Sequence, residues 1–210
     1  MSELENKYQI GVRRFNINWI GIGSLILKEN LRYLTVAGQT IIGPIITSIL
    51  FLVVINMAVG EDRANVLGVE FISFLAPGLI AMQIISQAFA HSSSSILMGK
   101  IMGNIFDLIG APLSPAEVTL SIISASVSRG IIICFLSVVT FSFFLEIEVK
   151  NFYFLITYLF LSTFILGAVG FIAGLWAEKF DNMATVTNFI VMPLSFLSGT
   201  FYSVDRLPEF

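Results

Sequence analysis

An all-α, polytopic membrane fold is predicted by three features of the chain. Its 210 residues are 56% apolar and only 12% charged, where an average soluble domain carries about 25% charge, and the mean hydropathy is +0.91. Four runs carry no formal charge, 33–60, 71–99, 151–177 and 182–204, each longer than the roughly 20 residues a helix needs to cross the hydrocarbon layer. Stretches such as 49–55 are apolar at every position, whereas strands of a membrane barrel alternate apolar and polar residues. The same composition excludes disorder, a coiled coil and a basic nucleic-acid binder, and no nucleic-acid partner is expected. The single cysteine, Cys134, lies in an apolar run and leaves no intramolecular disulfide to form.

The first element is amphipathic. Phe15, Trp19, Ile22, Ile26 and Tyr33 recur at helical spacing, with Arg14, Ser24, Lys28 and Arg32 on roughly the opposite side. Residues 10–34 are therefore expected to lie along the membrane interface with Trp19 at headgroup depth, in contact with lipid, and the same helix offers a docking surface for a soluble partner. No apolar h-region follows a basic stretch near Met1, so no signal peptide is expected.

Five spans follow, over 36–59, 71–93, 120–145, 152–176 and 183–203. The third is interrupted by Arg129, a charge that costs roughly 2.5–3.5 kcal/mol at mid-bilayer and less if its side chain snorkels. Arg129 is the intramembrane charge and so a functional candidate by default, expected to reach lipid phosphate or the loop at 174–181. With the N-terminus inside, the inner flanks hold seven Lys or Arg and the outer flanks three. The positive-inside rule favours that orientation.

Between the second and third spans, residues 96–117 are too many for a tight turn and too apolar for a solvated loop. Ile101, Ile105, Leu108 and Ile109 have helical spacing, Lys100, Asn104 and Asp107 supply a polar side, and Pro112 and Pro115 end the helix. A short helix closed by a proline turn presents a rigid knob to a soluble partner.

Five segments carry a family resemblance: FLAPGLIAM at 74–82, GAPLSPAE at 110–117, SRG at 128–130, GLWAEKFD at 174–181 and PLSFLSGTFYSVDRLP at 193–208. In this order and spacing they resemble the permease subunit of ABC-2 type exporters, within the bacterial group that exports drugs, capsular polysaccharides and lipo-oligosaccharides. The resemblance implies a six-span subunit of the bacterial inner (plasma) membrane that pairs with a second copy of itself and with two copies of a separate ABC ATPase subunit. It makes 97–110 the coupling helix seated on the ATPase, with Lys100, Asn104, Asp107, Pro112, Ser114, Pro115 and Glu117 as coupling residues. It also sets the interfacial helix, with Arg14, Phe15, Trp19 and Lys28, beside the coupling helix. Five spans leave Phe210 outside, so a re-entrant turn and a sixth span are expected beyond it, within roughly 40–60 further residues.

No catalytic constellation is legible, and neither a cofactor nor a resident metal is expected. The Gly99-Lys100 pair is followed by Ile101, and Ser94 stands where a P-loop has its first glycine, so ATP hydrolysis is expected in the partner. His91 is the sole histidine, which excludes two-histidine zinc sites; with Ser92 to Ser95 it is expected to form the inner end of the second span, its ring meeting water. Gly167, Gly170 and Gly174 form a small-residue face of the fourth span suited to close helix packing. Pro44, Pro77 and Pro193 are expected to kink helices or free carbonyls. The rival class is a secondary transporter or channel-like protein without an ATPase; it needs an acidic coupling site at mid-membrane, and the predicted spans contain no Asp or Glu. A pure scaffold accounts for the lack of chemistry but not for the knob. No charge pattern points to the substrate.

Overall fold

The computed structural model describes residues 17–59, 68–145, 149 and 151–197. Helix α1 (Trp19–Thr35) begins where the Asn18 side chain accepts from the backbone N–H of Gly21 at 2.9 Å, an N-cap that satisfies one orphan donor. A π turn, Gly38–Ile42, leads into α2 (Gly43–Val59). Pro44 has no N–H to return to the carbonyl four residues back, that of Thr40, and this carbonyl instead accepts from Arg129 Nη2 at 3.3 Å. A second π turn, Thr187–Val191, likewise lies just ahead of Pro193, between α7 (Phe180–Val186) and α8 (Met192–Ser195).

Helix α3 (Phe71–Met102) spans 32 residues, roughly 48 Å at 1.5 Å per residue. It continues through the serine run, where Ser93 and Ser94 satisfy their hydroxyls by donating back to the carbonyls of Ala90 and His91 at 3.4 and 3.1 Å. Gly103, at φ 79°, stops it, since a left-handed residue closes a helix and glycine takes that conformation without strain. The stretch 97–110 is therefore not one helix: its first part completes α3, and only α4 (Ile105–Gly110) stands apart. Ala111 is extended ahead of Pro112, as a residue before proline prefers. Helix α5 (Pro115–Phe141) starts five residues before the expected third span. Helix α6 (Phe152–Trp176), capped by Asn151, matches the expected fourth span.

Among the described residues four helices are long and apolar enough to cross a membrane: Gly38–Ala58, Phe71–Met102, Pro115–Phe141 and Phe152–Trp176. The expected fifth span, 183–203, is described only to residue 197, where α7, the π turn and α8 form a helical run; its remainder lies outside the described residues, as do Arg14 and Phe15.

Helix α3 is central, packing on α5, α6 and α2. One core joins Leu75, Leu79 and Ile84 of α3 to Ile133 and Phe141 of α5 and Leu52 of α2. Small residues set the approach of α6. A Cβ on Gly174 would stand 2.8 Å from the Ser93 carbonyl oxygen, and a Cβ on Gly167 or Gly170 would fall onto Ser126 Oγ or the Phe89 carbonyl. Without a hydrophobic drive between helices in lipid, such backbone proximity is what dispersion contacts require.

Candidate functional site

The turn after α4 is fastened to the start of α1. Ser114 caps α5, with its hydroxyl accepting from Glu117 N at 3.3 Å while Glu117 Oε2 accepts from Ser114 N at 2.7 Å, a capping box with Pro115 in the first turn. The other carboxylate oxygen, Oε1, accepts from Asn18 N at 2.8 Å, and Asn18 Nδ2 donates to the Pro112 carbonyl at 3.2 Å. A Cβ at Gly21 would stand 2.7 Å from Leu113, so the glycine lets α1 sit against the turn. Glu117, 7% exposed, thus bridges two helix starts. Glu117→Ala leaves two backbone donors without this acceptor and is expected to lower stability by about 1–3 kcal/mol, whereas Asp107→Ala, at an exposed position, is expected to stay within about 0.5 kcal/mol. Thermal unfolding of the purified protein in detergent measures both.

The base of α4 is anchored as well. Lys100 Nζ donates to the carbonyls of Leu175 and of Ala177, the latter at 3.0 Å, so a cation holds the C-terminal end of α6, where the helix dipole favours it. Beyond this anchor Asn104, Asp107, Pro112 and Pro115 are exposed. Phe106 and Ile109 are 75% and 73% exposed, forming an apolar tip with an acidic neighbour.

A second polar assembly lies between α1, α3 and α5. Glu29, 3% exposed, accepts from Arg32 Nε at 2.9 Å and from Ser95 Oγ at 2.8 Å. Arg32 also donates to the His91 carbonyl at 3.2 Å and to Ser94 Oγ at 3.4 Å. His91 is fully buried, its ring edge-on to Tyr33 at 5.5 Å between centroids and its Nε2 3.9 Å from Glu29 Oε2. The expected water-facing ring is corrected: α1 covers it. Arg129, 5% exposed, donates to Gln87 Oε1 and the Thr40 carbonyl and stands 5.8 Å over the Tyr33 ring. It reaches neither lipid phosphate nor the 174–181 loop, because a carbonyl, an amide and an aromatic face already receive its charge. Ser128 Oγ, next along α5, donates to Asn30 Oδ1 at 2.7 Å.

The structure therefore divides the residues singled out in the sequence. Ser114, Pro115 and Glu117 form the joint, with the Pro112 carbonyl, and Lys100 the anchor; Asn104 and Asp107 belong to the exposed tip. On α1 the buried face is Leu25, Glu29 and Tyr33, so the sequence stripe holds for Tyr33, while Trp19 and Lys28 are exposed. Ile20, Leu27, Leu31 and Leu34 form a further exposed apolar face. Asn18, Glu29 and Gln87 were missed. Glu29 and Arg32 at i, i+3 were the available signal, masked by their place among flanking charges. Among the described residues no group of three His, Cys, Asp or Glu is placed to hold a metal ion.

Among the described residues, four helices of membrane length and a short helix on an anchored base are the architecture of an integral membrane protein. The chain belongs to the ABC-2 type transporter family, whose model matches residues 21–210. It is similar to the inner membrane transport permease YadH of Escherichia coli K12, 29% identical over 195 residues, which cover 93% of this chain and 76% of that protein. The permease of the same description in Shigella flexneri matches with the same figures. No solved structure matches the chain. It is an ABC-2 type transport permease of the membrane, a family whose membrane subunits are generally non-catalytic.

Proposed function

We propose that this chain is the permease subunit of an exporter in a bacterial inner membrane, and that two copies form the substrate path and work with two copies of a separate ABC ATPase. The observation that carries this reading is the apolar tip at Phe106 and Ile109, exposed on a base fixed by Lys100 and Glu117. α3 is roughly 48 Å long against a hydrocarbon layer of about 30 Å, which supports a tip standing clear of lipid, where an apolar knob needs a protein cleft to cover it. Movement of the tip by the ATPase is then carried through the Glu117 joint to α1 and along α3 into the bundle. Asn104 and Asp107 make the polar contacts around the tip, and N-terminus-inside orientation places the tip on the cytoplasmic side.

Phe106→Asp and Asp107→Lys are expected to leave expression and insertion unchanged while ATPase capture and transport fall at least about tenfold, the effect of losing roughly 1.4 kcal/mol of binding. Pull-down of the ATPase with the full-length permease reads the first, and substrate efflux the second. Normal capture by both variants would sink the coupling assignment, and transport without any ATPase would favour the secondary-transporter class. Orientation has its own test: in a Cys134→Ser background, Ala64→Cys is expected to accept an impermeant maleimide in intact cells and Gly103→Cys to remain unlabelled. The reverse pattern would invert the topology.

A further inference from the structure

A cavity of about 340 Å³ opens on the flank of the bundle between α3, α5 and α6, in the half away from α4. Pro77 and Ala81 of α3 and Leu155 and Tyr158 of α6 form its exposed mouth, with Val149 at the rim, and Ile84 and Cys134 lie buried in its floor. Small side chains make the gap: Ala81, Cys134 and Ser162 stand where larger residues would close it. The Ser162 hydroxyl donates back to the Leu159 carbonyl at 3.2 Å, so it offers no donor to an occupant. The mouth lies roughly 9 to 15 Å along α3 from Phe71 at 1.5 Å per residue, which is hydrocarbon depth.

We infer that this cavity binds one acyl chain of a bilayer phospholipid. The lining is almost wholly apolar, so it offers water few of the two to four polar partners it needs. An acyl chain already sits in hydrocarbon at this depth, so it enters without dehydration and gains the dispersion contacts that an empty wall forfeits. With water's liquid share of about 30 Å³ as a guide to one methylene, the space holds on the order of ten chain carbons, roughly half of a phospholipid acyl chain. Along its flank α6 is exposed, the side from which a bilayer acyl chain would enter. The bound chain completes the α3, α5 and α6 packing that the small side chains leave open. This inference stands independently of the ATPase-coupling reading.

The test uses the full-length permease in nanodiscs of phosphatidylethanolamine and phosphatidylglycerol doped with a phospholipid carrying a diazirine at mid-chain. After irradiation, mass spectrometry maps the adducts. Adducts are expected on the floor, at Cys134 or Ile84, as well as on the exposed flank at Phe160. Ala81→Phe is expected to lose the floor adducts and keep those at Phe160; Ser162→Phe serves as the second filling variant should the first fail to insert. Labelling of Phe160 with an unlabelled floor would overturn the inference, as would floor adducts that persist in a folded filling variant. Floor adducts that fade only while the partner ATPase turns over would overturn it too, since the cavity would then hold moving cargo rather than a resident lipid chain.

Discussion

Gly170→Val is expected to abolish the folded permease. The new side chain would start with a Cβ on the Phe89 carbonyl, and that obstacle is the backbone of α3, which has no rotamer to change. Even Gly170→Ala is expected to cost about 1–3 kcal/mol, as overpacking does, although alanine is a better helix former than glycine by about 1 kcal/mol. Gly99→Ala provides the opposite sign. Its Cβ would find its nearest neighbour at 3.8 Å, in Ile105, so the propensity gain of up to about 1 kcal/mol is unopposed. Size-exclusion profiles after detergent extraction and the thermal midpoint of the three variants read this directly. A Gly170→Val protein that elutes and melts like the wild type would show that α6 does not approach α3 this closely.

Glu29→Ala is the second large effect, expected to destabilise by about 1.5–3 kcal/mol, the scale of hydrogen bonds to a charged group, because it removes a buried carboxylate that accepts from a half-buried guanidinium and a serine hydroxyl. Here the loss leaves Arg32 without the carboxylate that pairs with its Nε, and Ser95 loses its acceptor. Glu29→Ala/Arg32→Ala is expected to recover part of the loss, since it removes together with the carboxylate the cation left without its ion-pair partner. Thermal midpoints of the single and double variants form the test: a double variant less stable than Glu29→Ala would show that Arg32 is held by its other acceptors, the His91 carbonyl and Ser94, more than by Glu29.

Much of the fold was legible because lipid imposes its demand on each segment separately. The run 151–177 carries no charge and begins with Asn151, a good N-cap, and α6 lies where that pattern put it. The end of α3 was harder. Four serines and a histidine read as the margin of a span, yet the Ser93 and Ser94 hydroxyls are satisfied by their own helix carbonyls and that of Ser95 by Glu29, and the helix runs on to Gly103. The knob at 105–110 was visible from its apolar spacing and following prolines. Which of its neighbours face outward was not, because Lys100 and Glu117 look as solvent-exposed in sequence as Asp107 does.

By itself the sequence determined the class of the protein, the places of four apolar helices of membrane length, the glycine face of α6 and the short helix before the proline turn. These follow from a solvent that requires every spanning backbone group to be satisfied within its own helix, a rule each segment meets without reference to the others. Tertiary structure alone decided the partners of the polar side chains. Glu29 and Ser95 are 66 residues apart, Thr40 and Arg129 are 89, and Asn18 and Glu117 are 99. Such pairs depend on how far each helix is rotated about its axis when small residues let the backbones close, and that rotation is settled by the packing of all the helices together.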